Sequence, residues 1–221
     1  MTASDKSFSY ESFTGRGIDV ASVRADDLDK LSLEYFSKKN TAKVLDLGCG
    51  AGGQALRMAV AGVCVLAVDA GDFKDIFENY RTKASLFSDK LAFVRGDIRN
   101  LPDLIVEREF SDIYMQRTLH YLTYIQALEL LKYLYKVSTD RLYISVSGMA
   151  SDIGNDYLGR TLSIESRFVS LDAKNAETFQ IFEPVCLYSQ AEFVSLLELA
   201  GWRVLRCWQS AFGNHKAICS H

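Results

Sequence analysis

The segment Val44–Gly53 constrains the fold of this chain more than any other stretch. It reads V-L-D-L-G-C-G-A-G-G, a short apolar run followed at once by four glycines, and residues 54–60 then suit a helix. Glycines at a strand-to-helix turn permit positive φ angles and let a ligand approach the backbone closely. The N-terminus of the following helix presents unpaired N–H groups. The segment therefore predicts a strand, a tight turn and a helix that together form a nucleotide-type cofactor loop.

Apolar runs and helical patterns alternate along the chain as far as residue 147. A helix is predicted first, over Val20–Lys39, because apolar residues recur there at roughly helical intervals. The predicted strands are Lys43–Leu47, Val63–Asp69, Leu91–Arg95, Phe110–Met115 and Arg141–Val146. The helices predicted between them are Gly53–Ala61, Asp72–Ser88, Pro102–Glu109 and Tyr124–Val137. This alternation is typical of a mainly parallel sheet with helices on both faces.

The last part of the chain follows a different pattern. Ser189 begins S-Q-A-E, a capping box in which Glu192 can reach back to the cap N–H, and a helix is predicted to run to about Ala200. Strands are predicted over Trp202–Gln209 and Lys216–Ser220, joined by a short turn, which favours an antiparallel hairpin. The predicted fold is therefore α/β: a Rossmann-like, doubly wound, mostly parallel seven-stranded sheet with a C-terminal antiparallel hairpin.

The length of 221 residues suits a single domain. We divide it into an N-terminal arm and helix (1–39), a core with the cofactor loop (40–147), a segment of weak periodicity (148–188) and a C-terminal helix and hairpin (189–221). A connection as long as 148–188 inside a compact domain is usually functional or folded in its own right. We expect it to be a substrate lid, with a plain helical insertion as the alternative.

Composition and charge limit the partners of the chain. Its formal net charge is -3, which gives no general support for tight binding to a nucleic-acid backbone. The chain has no apolar run of about 18 residues, and its first ten residues lack the apolar core of a signal peptide. The five cysteines are odd in number and contain no C-x-x-C pair, so we interpret them as reduced thiols without a metal. We expect a cytoplasmic protein without a membrane partner.

Candidate site residues gather where the predicted parallel strands end, which is where such sheets bind cofactors. Asp69 ends the second strand, 21 positions after Gly48, and this spacing suits an acidic residue that binds ribose hydroxyls. The polar residues placed at this edge are Asp46, Asp69, Asp97, Gln116, Arg117 and His120.

In combination, these stretches resemble the successive motifs of class I S-adenosylmethionine-dependent methyltransferases. The stretches that carry the resemblance are Val44–Gly53, Asp69, Gly96–Ile98, Asp112–Gln116 and Cys186–Trp202, so that it spans roughly residues 40–220. The resemblance implies S-adenosyl-L-methionine as cofactor, S-adenosyl-L-homocysteine as product, and direct in-line transfer of a methyl group. The acidic charge, the lack of a nucleic-acid module and the lid-like segment favour a small-molecule acceptor.

The resemblance also implies roles for single residues. Asp46 would order the loop or meet the methionine ammonium through water, and Asp69 would bind both ribose hydroxyls. Asp97 would accept a hydrogen bond from the adenine amine, while Gln116 would face the transferable methyl. The full set expected to contact the cofactor is Tyr10, Arg16, Asp46, Gly48, Cys49, Gly50, Asp69, Ala70, Asp97, Ile98 and Gln116.

The acceptor side is less specified by the sequence. His120 is the candidate catalytic base, with packing or substrate lining as the alternative role. Within the expected lid, Tyr157, Arg160 and Arg167 are the expected substrate contacts. A general base is needed only if the acceptor arrives with a proton on its nucleophile.

Three alternative functions stay open. Gly48, Gly50 and Gly53 also satisfy G-x-G-x-x-G, which allows an NAD(P)-dependent oxidoreductase, although neither Tyr133 nor Tyr135 has a lysine four positions later. A non-catalytic subunit with a degenerate site is the second alternative. The third is methylation of RNA or protein, which one shared basic face would favour. The arginines that would have to form that face are Arg141, Arg160, Arg167 and Arg203.

Overall fold

The computed structural model describes residues 16–17, 19–21, 24–39, 42–83, 89–106 and 109–221, which build one central sheet with helices on both faces. The strands are β1 Lys43–Leu47, β2 Cys64–Asp69, β3 Leu91–Arg95, β4 Phe110–Gln116, β5 Ser138–Val146, β6 Arg203–Gln209 and β7 His215–Ser220. The helices are α1 Asp27–Phe36, α2 Gly53–Val60, α3 Lys74–Lys83, α4 Leu101–Leu104, α5 Tyr124–Val137, α6 Ala173–Phe179 and α7 Gln190–Leu199.

The strand order is β3-β2-β1-β4-β5-β7-β6. The first five strands pair in parallel, whereas β7 is antiparallel to both β5 and β6. This confirms the predicted doubly wound sheet with a C-terminal hairpin. Strand order reverses between β1 and β4, and such a reversal opens a crevice at the carboxyl ends of the two strands.

Two apolar layers cover the faces of the sheet. One packs α5 and α7 on it through side chains such as Leu131 and Phe193, and the indole of Trp202 there donates to the Leu131 carbonyl over 3.1 Å. The other packs α1, α2 and α3 on the opposite face through side chains such as Phe36 and Met58. Strands β1 and β4 are therefore buried on both sides, which accounts for their continuous apolar runs.

Helix boundaries differ from the predictions where a local cap decides them. The first helix begins at Asp27 and not at Val20, because the Asp26 carboxylate accepts from the Leu28 and Asp29 N–H groups at 2.8 and 3.1 Å. The helix predicted over Pro102–Glu109 is instead the single turn α4, which follows a 3-10 turn at 98–100. Helix α3 ends at Lys83, and the remainder of its predicted range, 84–88, lies outside the described residues.

The C-terminal helix follows its prediction. Ser189 and Glu192 form the predicted capping box, with the Ser189 N–H donating to the Glu192 carboxylate at 2.8 Å. The helix ends before Gly201, whose φ of 100° is the left-handed conformation that glycine adopts most readily.

Residues 148–188 fold as a compact insertion with a small core of their own. Its only regular α-helix in the described residues is α6, and short 3-10 turns make up much of the rest. An isolated bridge between Gly148 and Tyr188 joins the two ends of the insertion, and the Tyr188 N–H donates to the carbonyl of Ser147, directly after β5, at 3.3 Å. A second bridge joins Ile181 to Arg16 of the N-terminal arm. The buried apolar side chains of the insertion are Ile153, Tyr157, Leu171, Ile181, Val185 and Leu187.

None of the helices in the described ranges combines the length and the apolar character required to cross a bilayer.

Candidate active site

A cavity of about 1220 Å³ opens at the carboxyl ends of β1, β2 and β4. The glycine loop lines one side of it, and the arm, the insertion and the turn between β6 and β7 line the others. Pockets for a drug-sized ligand typically enclose roughly 300–1,000 Å³. The cavity therefore has room for a cofactor and a second small molecule together.

The glycine loop between β1 and α2 is shaped by left-handed backbone. Gly48 and Gly50 have φ of 68° and 55°, and the Gly48 N–H donates to the Val68 carbonyl at 2.8 Å. A Cβ added at Gly48 would fall 2.0 Å from the Thr118 hydroxyl oxygen. Glycine at this position is thus required both by φ and by the close approach of the loop after β4.

Asp69 lies at the end of β2 with its carboxylate against the loop. Its Oδ2 accepts from the Gly50 N–H at 2.9 Å, and its Oδ1 accepts from the Gly71 N–H at 2.8 Å. Burial raises the pKa of this carboxyl despite those two hydrogen bonds. Each oxygen keeps a further lone pair, so the group can still accept from ligand hydroxyls in the cavity.

Asp19, from the arm, is a cavity residue that the sequence analysis missed. Its Oδ2 accepts from the Ala51 N–H at 2.9 Å, and the same oxygen lies 2.8 Å from where a Cβ of Gly50 would be. No spacing rule connects an arm residue to a loop more than 30 positions away, so only the fold reveals this contact.

Asp46 is buried in β1 below the same loop. Its exposed fraction is 2%, and its Oδ2 has no hydrogen-bond partner among the described residues. Burial raises its pKa well above the ordinary value, and the nearby carboxyls of Asp29, Asp69 and Asp19 raise it further. An orphaned carboxylate oxygen of this kind costs free energy until a donor meets it.

Asp97 and its neighbours occupy the adjoining side of the cavity. Asp97 caps the 3-10 turn at 98–100 by accepting from the Arg99 N–H at 2.9 Å, and it pairs with the Arg99 guanidinium, whose Nε lies 2.8 Å away. This pairing lowers the pKa of Asp97. Ile98, Ala70 and the buried free thiol of Cys49 line the same cavity.

The N-terminal arm is held against the insertion. The Gly17 N–H donates to the Gln180 carbonyl at 2.7 Å, and the Tyr121 hydroxyl donates to the Arg16 carbonyl. The Arg16 guanidinium lines the cavity and approaches Glu183 to 3.9 Å. Tyr10, the other arm residue predicted to contact the cofactor, lies outside the described residues.

Gln116 is fixed at the end of β4 by a polar network. Its Oε1 lies 2.9 Å from the Tyr114 hydroxyl, and its Nε2 donates to the Asp26 carboxylate. Asp26 also accepts from Lys216, whose Nζ lies 2.6 Å from Oδ2 and whose exposed fraction is only 3%. The sequence analysis missed Asp26 and Lys216, because a lysine in a short terminal strand ordinarily points to solvent.

His120 lines the cavity as a buried, neutral ring. Its Nδ1 faces the Ser147 N–H at 3.5 Å, which leaves the ring proton on Nε2. Burial, together with the positive charge of Arg117, lowers its pKa to about 3. A group with that pKa is a weak base at neutral pH, which favours the lining role over the catalytic one.

None of the three insertion residues expected to contact substrate lines the cavity: two are buried in the insertion, and Arg160 is exposed. The Tyr157 hydroxyl lies 2.6 Å from the Val185 carbonyl, and Arg160 donates to the Met149 carbonyl at 2.8 Å. Arg167 is buried and pairs with Glu192 at 2.8 Å. The insertion residues that do line the cavity are Ser151, Asp152, Ile153, Phe168, Phe179, Ile181, Glu183 and Pro184.

Comparison with known proteins agrees with this geometry. Residues 44–140, from β1 through α5, match a family model described as a methyltransferase domain. The matched segment is less than half of the chain and contains the glycine loop, Asp69 and Asp97, so this part of the chain is similar to methyltransferase domains. The cavity lies where the matched segment places its glycine loop.

Solved structures share the fold of this chain. The PH0226 protein from Pyrococcus horikoshii OT3 superposes with a TM-score of 0.63 at 17% identity, over 87% of each chain. Magnesium protoporphyrin IX methyltransferase from Synechocystis PCC 6803, solved with bound S-adenosylhomocysteine, gives a TM-score of 0.59 at 15% identity, over 87% of this chain and 81% of its own. Identities this low show a shared fold and carry no acceptor across.

One curated relative aligns over a short stretch. The sterol 24-C-methyltransferase of Pneumocystis carinii (strain B80) is 34% identical over 79 residues, which is 35% of this chain. The chain spans only 20% of the length of that relative. The alignment therefore shows a similar sequence over this stretch alone and leaves the methyl acceptor open.

Proposed function

We propose that this chain transfers a methyl group from S-adenosyl-L-methionine to a small-molecule acceptor by in-line displacement. The observation that carries the proposal is the carboxylate lining of the glycine loop. The N–H groups of Gly50 and Ala51 donate to Asp69 and Asp19, each at 2.9 Å, and Asp46 lies buried beneath them. A loop lined in this way suits a ligand with a positive charge and hydroxyls.

The residues present fit this cofactor. Its α-ammonium can donate to the orphaned Oδ2 of Asp46, and its ribose hydroxyls can donate to Asp69. Gly48 and Gly50 leave the space that a Cβ would fill beside the loop. When bound, S-adenosylmethionine supplies a methyl group on a positively charged sulfur, which is already activated for transfer to a nucleophile.

The chain itself contributes position and shielding. Gln116, held by Tyr114 and Asp26, keeps a fixed amide at the end of β4. The arm and the insertion, joined at Arg16 and Ile181, cover the cavity and limit the entry of water. Holding two reactants in line can lower a barrier by about 7–11 kcal/mol. The neutral ring of His120 can donate from Nε2 but does not act as the proton acceptor at neutral pH.

Several features support a small acceptor over RNA or protein. The site is a cavity and not an open face. Arg167 is buried against Glu192, so the four arginines that a basic face would need are not available together. The five cysteines are all free thiols, which supports our proposal of a reducing, cytoplasmic compartment.

The same carboxylates weigh against an NAD(P)-dependent oxidoreductase. A pyrophosphate bound at a glycine loop needs the loop N–H groups as donors. Here two of those donors already meet carboxylates, and the negative charges of Asp19 and Asp69 would repel a pyrophosphate.

Calorimetric titration with S-adenosylhomocysteine and, separately, NADH tests the proposal. We expect micromolar binding of the first and none of the second. Asp69→Ala should weaken binding by roughly 100-fold, because it removes a charged acceptor of two hydrogen bonds. Asp72→Ala is the matched control, since Asp72 pairs with Arg95 at 2.9 Å and does not line the cavity. Binding of NADH in place of S-adenosylhomocysteine would contradict the proposal.

A further inference from the structure

Arg117, directly after β4, has an unusual backbone conformation. Its φ is 52°, in the left-handed region, and its N–H donates to both the carbonyl and the hydroxyl of Ser145, each at 3.0 Å. Arginine has a Cβ that makes the left-handed region strained, whereas glycine has none and asparagine can offset the strain with a local side-chain hydrogen bond. Strained residues of this kind persist where the surrounding structure holds them and cluster at ligand sites.

The guanidinium of Arg117 lacks the partners that other arginines of the cavity have. Arg99 pairs with Asp97, Arg16 approaches Glu183, and Arg24 lies over the Phe212 ring at 5.7 Å. Within the part of the chain that the structure describes, no carboxylate lies within ion-pair distance of Arg117, and its guanidinium makes no hydrogen bond. It is nevertheless half-buried and lines the cavity.

Arg117 belongs to the loop that follows β4, and this loop contacts the insertion. The Cys186 N–H donates to the His120 carbonyl at 2.8 Å, and the charge of Arg117 acts on His120 and Tyr121. Of the residues that the insertion contributes to the cavity, Ile153, Phe168 and Phe179 are apolar, whereas Asp152 and Glu183 carry carboxyl groups. Glu183 lies 3.9 Å from Arg16.

We propose that Arg117 binds a carboxylate of the methyl acceptor, so that the acceptors of this protein are carboxylic acids with an apolar body. This rests on the proposed function and names the acceptor class for that site. The planar guanidinium matches a carboxylate with two parallel hydrogen bonds. The Nε2–H of His120, three residues along the same loop, is a second donor on this side. The apolar residues of the insertion would cover the body of the acid.

The test compares acids with their amides on the S-adenosylhomocysteine-loaded protein. The probes are phenylacetate against phenylacetamide, and hexanoate against hexanamide, titrated to millimolar concentration. We expect each acid to bind at least about tenfold more tightly than its amide, and Arg117→Gln to abolish that difference. Equal binding of acid and amide, or no binding of either, would overturn the proposal.

Two further variants separate binding from folding. Arg117→Gly removes the guanidinium and relieves the left-handed strain, so the preference for acids should disappear while the melting temperature is kept or rises. A large loss of stability in Arg117→Gly would assign Arg117 a structural role instead. Arg203→Gln is the matched control, because Arg203 is exposed at the start of β6 and does not line the cavity.

A cofactor carboxylate is the competing source of the anion. S-adenosylhomocysteine carries a carboxylate and 5′-methylthioadenosine does not, so both are titrated into the wild type and Arg117→Gln. If Arg117→Gln weakens only the first, Arg117 binds the cofactor and the proposal is wrong. If S-adenosylhomocysteine does not bind the wild type, the proposed function fails by itself, and the acids are then compared with the amides on the ligand-free protein.

Discussion

The two sides of the cavity differ in charge and in construction. On the glycine-loop side, Asp19, Asp46 and Asp69 surround a loop whose N–H groups are already engaged. On the insertion side, Arg117 has no ion-pair partner among the described residues, His120 is neutral, and Glu183 lies 3.9 Å from Arg16. Free positive charge on one side and carboxylates on the other would let one cavity bind two ligands of opposite charge. A cationic cofactor suits the first side, and an anionic acceptor suits the second.

The two sides also rely on different kinds of contact. The glycine loop is shaped by backbone hydrogen bonds between neighbouring strand ends, such as the one that the Gly48 N–H donates to the Val68 carbonyl. The insertion depends on its own core and on buried polar groups such as Arg167. Substitutions that damage the loop should therefore remove stability and cofactor binding together, whereas substitutions inside the insertion should remove stability alone.

The largest effect is expected for Gly48→Ala. The added Cβ would meet three atoms of Thr118 between 2.0 and 2.7 Å and would also occupy a left-handed φ of 68°. Overpacking and backbone strain together should lower the free energy of unfolding by about 3–5 kcal/mol. Urea unfolding measures this loss, and titration with S-adenosylhomocysteine measures the accompanying loss of binding.

Gly62→Ala serves as the control for backbone strain alone. Its φ is 94°, but the nearest atom to an added Cβ is Lys90 Nζ at 3.8 Å. We expect a loss of about 1–2 kcal/mol and unchanged cofactor affinity. If Gly48→Ala and Gly62→Ala lower the free energy of unfolding equally, backbone conformation alone requires glycine at position 48, and the close approach of Thr118 does not.

The next effect is expected in the insertion, for Arg167→Ala. The guanidinium pairs with Glu192 at 2.8 Å and donates to the carbonyls of Gly159, Leu162 and Leu187, all of which would lose a buried donor. We expect the free energy of unfolding to fall by about 2–3 kcal/mol.

Affinity for S-adenosylhomocysteine should not change in Arg167→Ala. Arg160→Ala is the milder control, at about 1 kcal/mol or less, because Arg160 is exposed and donates only to two carbonyls. A selective loss of cofactor affinity in Arg167→Ala would place the insertion in the cofactor site and remove the contrast between the two sides.

The parts of this fold that could be predicted are those governed by local rules. Strands Lys43–Leu47 and Leu91–Arg95 and helix Tyr124–Val137 match their predicted bounds, because continuous apolar runs and a regular helical pattern mark them. The Ser189 capping box is also a local signal. The start of α1 was missed because a capping carboxylate, Asp26, overrides the apolar spacing upstream of it.

The residues that line the cavity were predicted where they follow strand ends and missed where they depend on contacts between distant parts of the chain. Asp46 and Asp69 were placed by the order of strands, since parallel strands end at one edge. Asp19 and Lys216 reach the cavity from the arm and from β7, and no sequence spacing connects either of them to the loop. Tyr157 and Arg167 were expected at the substrate, but buried polar side chains in a small core also satisfy backbone carbonyls.

The smallest effect is expected for Asp46→Asn. In the ligand-free protein this substitution should raise the free energy of unfolding by about 1 kcal/mol, whereas it should lower the affinity for S-adenosylhomocysteine. The Asp46 carboxylate is buried with an orphaned oxygen, so the neutral amide should stabilise the fold while weakening S-adenosylhomocysteine binding. Chemical unfolding at pH 5 and pH 8 measures the first change, and calorimetry measures the second.

The pH dependence of the free energy of unfolding tests whether the buried Asp46 carboxyl accounts for the higher stability expected of Asp46→Asn. The pKa of its carboxyl is raised well above the ordinary value of 3.8, so the folded state holds this proton more tightly than the unfolded state. The contribution of Asp46 to the stability of the wild type should therefore fall as pH rises above about 4, until its raised pKa is passed. Asp29 and Asp69 also have raised pKa values, and both act on Asp46, so the difference between the two proteins measures Asp46 together with its coupling to these carboxyls. Asp46→Asn should thus gain on the wild type from pH 5 to pH 8. If Asp46→Asn is instead less stable than the wild type at pH 8, the Asp46 carboxylate already has hydrogen-bond donors within the folded chain. The glycine-loop side then has no unpaired carboxylate for a cationic ligand.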